Sequence, residues 1–221
     1  MNRPDRLWMC ALAAALTAMV APVAPVAFAD DLPGRSAQTE DAEDAEALGV
    51  GRLVADFTFT DLAGRSQRFD DYARGHKAVV IALTNTTCPL SKKYAPVLAR
   101  LEKQWSQRGV GFIFLNLNAA EETRDLRDAV KRLGFTSPYV HDTKHVIGRT
   151  LGARTTTEAF VLDAARTLMY RGAVDDRYGL GFAHEEAKNA YLSDALEAVL
   201  AGKQPAVRAT SAPGCFLIMD E

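Results

Sequence analysis

Cys88 stands in the run Thr84-Asn85-Thr86-Thr87-Cys88-Pro89-Leu90-Ser91, between an apolar stretch and a segment of helical periodicity. That places its sulfur at a helix start, where unpaired backbone N–H groups and the positive end of the helix dipole favour a thiolate over a thiol. Cysteines so placed have pKa values lowered into the reactive range, and Lys92 follows one turn on. The chemistry on offer is attack by sulfur, giving a mixed disulfide with a disulfide substrate or a sulfenic acid with a peroxide. The bland alternative is a buried apolar cysteine. Three residues on, where a Cys-x-x-Cys pair has its second sulfur, the chain has Ser91. Its hydroxyl is a candidate donor to a thiolate but cannot form a disulfide. Of the 3 cysteines, Cys10 lies near the N-terminus, which leaves Cys215 as the second thiol. Four roles are open to it: resolving thiol for Cys88, static bridge, metal ligand or plain tail thiol. His141 and His145 are four apart and suit a metal only on one helix face, whereas His141 is expected to end a strand. His76 and His184 read as surface residues, and Asp175-Asp176 as a solvated turn.

These residues need elements to position them. Residues 78–84 form a continuous apolar run suited to a central strand covered on both faces. A helix is expected over 89–108, with Pro89 in its first turn, a bend at Pro96, and Leu90, Tyr94, Val97, Leu98, Leu101 and Trp105 on one face. Residues 110–117 read as a second buried strand, and 121–133 as a helix stopped by Gly134. A hairpin is expected from 54–60 and 66–69, with its turn at 61–64. Further on come a short helix at 144–151, strands at 156–162 and 167–171 around a tight turn at 163–166, and a helix at 185–200. The order β-β-β-α-β-α-(α)-β-β-α predicts an α/β domain with a central mixed sheet, helices on both faces and the reactive site at the carboxyl ends of the strands.

Residues 1–29 combine Arg3 and Arg6, an apolar run to about Val26 and an Ala27-Phe28-Ala29 cleavage site, the pattern of a secretory signal peptide. Pro22 and Pro25 break the run and disfavour a membrane anchor. Cleavage leaves 192 residues, and the loss of Arg3, Arg6 and Asp5 leaves 24 basic and 27 acidic residues. That balance predicts no nucleic-acid partner and, after cleavage, no membrane association. Residues 30–50 are acidic and read as a flexible lead-in, 51–202 as one domain, and 203–221 as a tail carrying Cys215. Phe216-Leu217-Ile218 is too apolar for a free tail and is expected to dock on the domain. Two cysteines are too few for a disulfide framework, so any bridge is expected to be chemistry rather than scaffold.

The stretch Cys88-Pro-Leu-Ser-Lys-Lys-Tyr-Ala-Pro96 resembles the thioredoxin-fold redoxins, and more closely their peroxiredoxin-like branch, the alkyl hydroperoxide reductase/thiol-specific antioxidant relatives. The segment Thr155-Thr156-Thr157-Glu158-Ala159-Phe160-Val161-Leu162-Asp163 is similar to the one in which that family places a cis-proline opposite its cysteine. Tyr170-Arg171-Gly172-Ala173-Val174-Asp175-Asp176-Arg177-Tyr178-Gly179 resembles secreted bacterial redoxins. The resemblance covers residues 54–202 and implies a thioredoxin-like three-layer fold. Departures from the family are clear. Thr87 stands for the usual tryptophan, Ala82 for the buried acid, Ser91 for the second cysteine and Thr157 for the facing proline, and the Pro-x-x-x-Thr-x-x-Cys motif of peroxiredoxins is missing.

The expectation is an exported thiol oxidoreductase, periplasmic or extracellular, without a cofactor. Cys88 is its nucleophile, Thr87, Pro89, Ser91 and Thr157 shape the site, and Cys215 or an external thiol resolves the intermediate. Its partners would be a thiol or disulfide substrate and an external electron donor. Two other classes compete: a copper-binding module using soft sulfur ligands, and a redoxin fold without chemistry that serves as a binding domain.

Overall fold

The computed structural model describes residues 44–179 and 181–219, so the expected signal peptide and most of the acidic lead-in lie outside the described residues. From Asp44 onward, residues expected to be flexible pack instead. The Asp44 carboxylate accepts the N–H groups of Glu46 and Ala47, Val50 is buried, and the Gly51 N–H donates to the Leu168 carbonyl at 2.7 Å.

A hairpin comes first: β1 (Thr58–Thr60) pairs antiparallel with β2 (Ser66–Arg68), Phe59 opposite Gln67. Its turn is held by the Asp61 carboxylate, which accepts the N–H groups of Ala63 and Arg65 at 2.9 Å, the usual Asx-turn device. A short helix, α1 (Phe69–Arg74), follows without having been legible in the sequence. Six residues carry too little periodicity, and the group that caps it, the Asp56 carboxylate on the Asp70 N–H at 2.8 Å, is remote in sequence.

The main sheet has the order β5-β4-β3-β6-β7, with β3 (Ala78–Leu83) at its centre. It runs parallel to β4 (Val110–Asn116) and antiparallel to β6 (Ala159–Asp163). β5 (Tyr139–His141) adds parallel to β4, and β7 (Leu168–Gly172) antiparallel to β6. All of β3 and β4 is buried, which explains their unbroken apolar sequences: successive side chains feed opposite faces, and both faces are covered. Val80, Ala82, Phe112, Phe114 and Val161 meet α2 (Pro89–Ser106), α3 (Thr123–Leu133) and α5 (Tyr191–Leu200). Val79, Ile81, Leu83, Ile113 and Phe160 meet α1, α4 (Val146–Leu151) and the hairpin residues Phe57 and Phe59. Each large side chain taken from water here contributes about 1.5–3 kcal/mol. This is the expected mixed sheet with helices on both faces and an N-terminal hairpin.

Gly134 ends α3 with φ 74, as its sequence position predicts. The last helix, expected from 185, starts only at Tyr191. The Asp176 carboxylate accepts the N–H groups of Lys188 and Asn189, which holds that stretch in an irregular path beside β8 (Tyr178–Gly179) and β9 (Phe182–Ala183).

The tail is not a separate segment. Ala209 bridges Arg171 at the sheet edge, and the Thr210 hydroxyl meets the Ala173 N–H at 2.9 Å and the Tyr170 hydroxyl at 2.8 Å. Gly172 makes this crossing possible. Its φ is 142, and a Cβ there would sit 2.6 Å from the Thr210 carbonyl oxygen. The chain then returns to bridge Thr155 with Phe216.

Candidate functional site

The site forms where three connections meet. The Thr84 N–H donates to the Leu115 carbonyl and the Leu83 N–H to the Glu158 carbonyl, both at 2.9 Å. These bonds gather the loop after β3, the loop after β4 and the loop before β6 at one end of the sheet.

Cys88 is the N-cap of α2, in extended backbone geometry with Pro89 following it. Its loop is fixed from within. The Asn85 side-chain oxygen accepts the N–H groups of Thr87 at 2.8 Å and Cys88 at 2.7 Å, and also the Thr87 hydroxyl. The Ser91 hydroxyl accepts the Asn85 N–H at 2.7 Å. The Ser91 hydroxyl, a candidate donor to the sulfur, is turned elsewhere. In the first turn of a helix that group reaches back to the preceding loop, and only the Ser91 backbone amide favours the thiolate. Beneath the loop, the buried Glu121 carboxylate accepts the Thr86 hydroxyl at 2.6 Å, the Thr86 N–H at 3.1 Å and the side-chain amides of Asn116 and Asn118.

Cys88 is 4 % exposed, and Cys215 lies against it with a sulfur–sulfur separation of 3.2 Å. One hydroxyl serves both cysteines. Thr156 donates from Oγ1 to the Cys88 sulfur at 3.2 Å and accepts the Cys215 N–H on the same oxygen at 3.1 Å. The residue that faces the sulfur is therefore Thr156, one position before Thr157. The Thr157 hydroxyl instead donates to the Pro213 carbonyl: the two threonines occupy a turn, in which the Glu158 N–H reaches back to the Thr155 carbonyl, and there they face different neighbours. Burial alone would push the Cys88 thiol up. The Thr156 hydroxyl, the Ser91 amide, and the Cys215 thiol and amide outweigh it and bring the pKa down to about 7. Cys215 is raised above its ordinary value, first because its thiol donates to Cys88 and then through burial. Cys88 is thus the sulfur of the pair that ionises first, and Cys215 keeps its proton as the donor to it. An anionic sulfur with a second sulfur in reach can attack a disulfide and then be resolved within the same chain.

Thr87 and Pro89 sit at the loop as the sequence places them, both exposed. The histidines do not converge. His141 ends β5 with Nε2 on the Asn118 carbonyl, and His145 precedes α4 with Nε2 on the Leu117 carbonyl, both at 2.9 Å. Among the described residues no group of three or more His, Cys, Asp or Glu side chains is placed to hold a metal, and no helix is long and apolar enough to cross a membrane.

Sequence reasoning missed Asn85, Glu121 and the partner role of Thr156. It also missed the buried ion pair of Glu158 with Arg171, whose Nε lies 2.9 Å from the carboxylate. Arg171 donates further to the carbonyls of Leu48 and Gly152, while the Arg154 N–H donates to Glu158 at 2.8 Å. Together they pin the loop that carries Thr156. An Asn three residues before a helix-starting cysteine was the one signal in plain view.

Residues 50–171 match the AhpC/TSA family. The thiol-disulfide oxidoreductase ResA of Geobacillus thermodenitrificans is 29 % identical over 117 residues, 53 % of this chain and 65 % of that protein. ResA of Geobacillus kaustophilus is 32 % identical over 96 residues, 43 % of this chain and 53 % of that protein. The chain thus spans between about half and two thirds of the length of these curated relatives. Among solved structures, a hypothetical protein from Sinorhizobium meliloti superposes with a TM-score of 0.67 at 26 % identity, covering 76 % of this chain and 91 % of that one. An uncharacterized conserved protein from Geobacillus kaustophilus gives 0.71 at 22 %, covering 80 % and 93 %. Peroxidoxin BcpB from Mycobacterium tuberculosis gives 0.52 at 18 %, covering 70 % and 97 %. The last two likenesses concern the fold, which is thioredoxin-like. The matched residues take in the hairpin, the Cys88 junction and the Thr155–Thr157 loop, and the chain belongs to the AhpC/TSA family.

Proposed function

We propose that the protein is an exported thiol–disulfide oxidoreductase in which Cys88 is the nucleophile and Cys215 the resolving thiol. The observation that carries the proposal is the sulfur pair itself: a buried cysteine at a helix start, 3.2 Å from a second sulfur that reaches it from late in the chain. Export rests on the N-terminal sequence, with its basic start, apolar run and Ala27-Phe28-Ala29.

The Cys88 thiolate attacks one sulfur of a substrate disulfide. That S–S bond breaks, and the far sulfur leaves as a thiolate and takes a proton from solvent. Cys215 attacks the Cys88 sulfur in the mixed disulfide, and its proton passes through solvent to the second substrate sulfur, which leaves as a thiol while the Cys88–Cys215 disulfide forms. The substrate gains two electrons and the two cysteines lose two. An external thiol donor reverses the second change. Thr156 holds both sulfurs during the exchange, and Asn85 keeps the Cys88 backbone in place.

Peptide mapping of the oxidised, alkylated protein tests this directly. A Cys88–Cys215 peptide that disappears on reduction is the expected result. Cys88 no faster toward iodoacetamide at neutral pH than a free thiol would sink the proposal. Peroxide consumption in the presence of a dithiol separates a peroxidase from a disulfide exchanger. Stoichiometric copper retained after desalting in a Cys88-dependent way would turn the assignment to metal binding.

A further inference from the structure

We propose that residues 213–217 form a strap that occupies, in the reduced protein, the place that the cysteine-bearing strand of a substrate polypeptide must take. This rests on Cys88 being the nucleophile, and adds that the protein carries an internal competitor for its own polypeptide substrates.

Cys88 is buried while Cys215, lying against it, is exposed. A sulfur carried on a polypeptide brings its backbone along, and the ledge where that backbone can pair is taken. The Thr156 N–H donates to the Cys215 carbonyl at 3.1 Å, the Leu217 N–H to the Arg154 carbonyl at 2.9 Å, and Thr155 bridges Phe216 antiparallel. A Cβ at Gly214 would lie 3.1–3.3 Å from Thr155, Thr156 and Thr157, so the strap runs flush against the ledge. It is an extended peptide, in strand register, with its sulfur beside the nucleophile.

Its attachment is light. Phe216 and Ile218 point into solvent at 82 % and 85 % exposure, and Leu217 is only half-buried. Backbone bonds and the hydroxyls of Thr156 and Thr157 hold it, with little apolar area, and a segment held in that way opens locally. A second approach stays open beside the docked strap. A groove of about 460 Å³ along Pro89, Leu90, Lys93 and Phe182 reaches both cysteines. Small disulfides and oxidants enter there, and polypeptide disulfides react only when the strap lifts. The same strap then returns to resolve the mixed disulfide, so competitor and resolving arm are one segment.

The test compares two disulfides that differ only in what they carry. One is 5,5′-dithiobis(2-nitrobenzoate). The other is a cysteine peptide activated as its thionitrobenzoate disulfide. Release of thionitrobenzoate gives the rate at Cys88 in a Cys215→Ser background, where the strap keeps its backbone pairing and only one thiol reacts. Two further proteins release the strap: one adds Leu217→Pro, which removes the donor to Arg154, and the other ends at Ala212. The peptide rate should rise about tenfold in both, the factor expected if the docked strap is open roughly a tenth of the time, while the small disulfide changes less than about threefold. An unchanged or falling ratio of peptide to small-disulfide rates overturns the strap and leaves Cys88 as nucleophile. Slow reaction with both reagents in all three proteins overturns the nucleophile and the strap together. Circular dichroism checks folding, and Leu217→Pro decides the matter if the shortened chain does not fold.

Discussion

Two sulfurs 3.2 Å apart sit in surroundings built on opposite principles. Cys88 is held from every side. Asn85 grips its backbone, Glu121 fixes the loop before it, the helix begins at it, and the residue is 4 % exposed. Cys215 is exposed, and its strand is fastened by backbone bonds to Arg154 and Thr156. The fixed sulfur is the one whose ionisation the protein tunes, through the Thr156 hydroxyl and the Ser91 amide and, while the tail is docked, through Cys215 itself. In the proposed exchange the loosely held sulfur has a step in which it must change partners. Rigidity and looseness are thus divided between the two halves of the proposed centre.

The largest effect that separates them is on turnover. Cys88→Ser should lower disulfide exchange by a factor on the order of 10³ or more, as expected when the attacking atom is removed. Cys215→Ser should leave the first step and accumulate a mixed disulfide visible by intact mass. Next comes stability. Glu121→Ala removes the acceptor shared by the buried Asn116 and the half-buried Thr86 and Asn118 and should cost about 2–4 kcal/mol in a urea melt, whereas Cys215→Ala should fall within about 0.5 kcal/mol. If the two cost the same, the contrast between fixed and loose halves is wrong. Thr156→Val should then raise the Cys88 pKa from about 7 by roughly one unit, about 1.4 kcal/mol, read from the pH dependence of iodoacetamide alkylation, with Thr156→Ser restoring it. The sign for folding follows. Because the folded value lies below the ordinary thiol value of 9.0, ionisation adds stability that builds between about pH 7 and pH 9 and is absent below 7. Thr156→Val should flatten that rise. The smallest effect is expected at Phe216, 82 % exposed, where replacement by Ser should change stability by less than about 0.5 kcal/mol.

β3, β4, β6 and β7 and the helix after Cys88 were legible as unbroken apolar runs or as a clear helical period, whereas the three-residue β5 was signalled only through His141 at its end. The α1 turn was not, for its cap comes from Asp56, outside the helix. The site was legible in the place of Cys88 at the head of α2 and in the docking of the tail. It was not legible in how the tail docks. Phe216 and Ile218, whose apolar character prompted that expectation, face solvent, while the backbone and the alternate Leu217 do the holding. A period of two was present there, but four residues are too few to say which face is inward. Glu121 and Thr156 escaped notice for a different reason. A carboxylate that clamps a loop and a hydroxyl that bridges two sulfurs look like any surface Glu and Thr until the chain is folded, since both act across about 30 to 70 positions of sequence.

Gly172 touches neither cysteine, yet the route by which Cys215 reaches Cys88 passes over it. A methyl group there would collide with the backbone of Thr210 and throw the returning chain off course. Mutational screens for loss of redox activity should therefore recover this glycine beside the sulfurs themselves, as a weak point in the last residue of the sheet's edge strand. Anyone transplanting the Cys88 loop onto another scaffold would inherit the nucleophile but leave its partner behind.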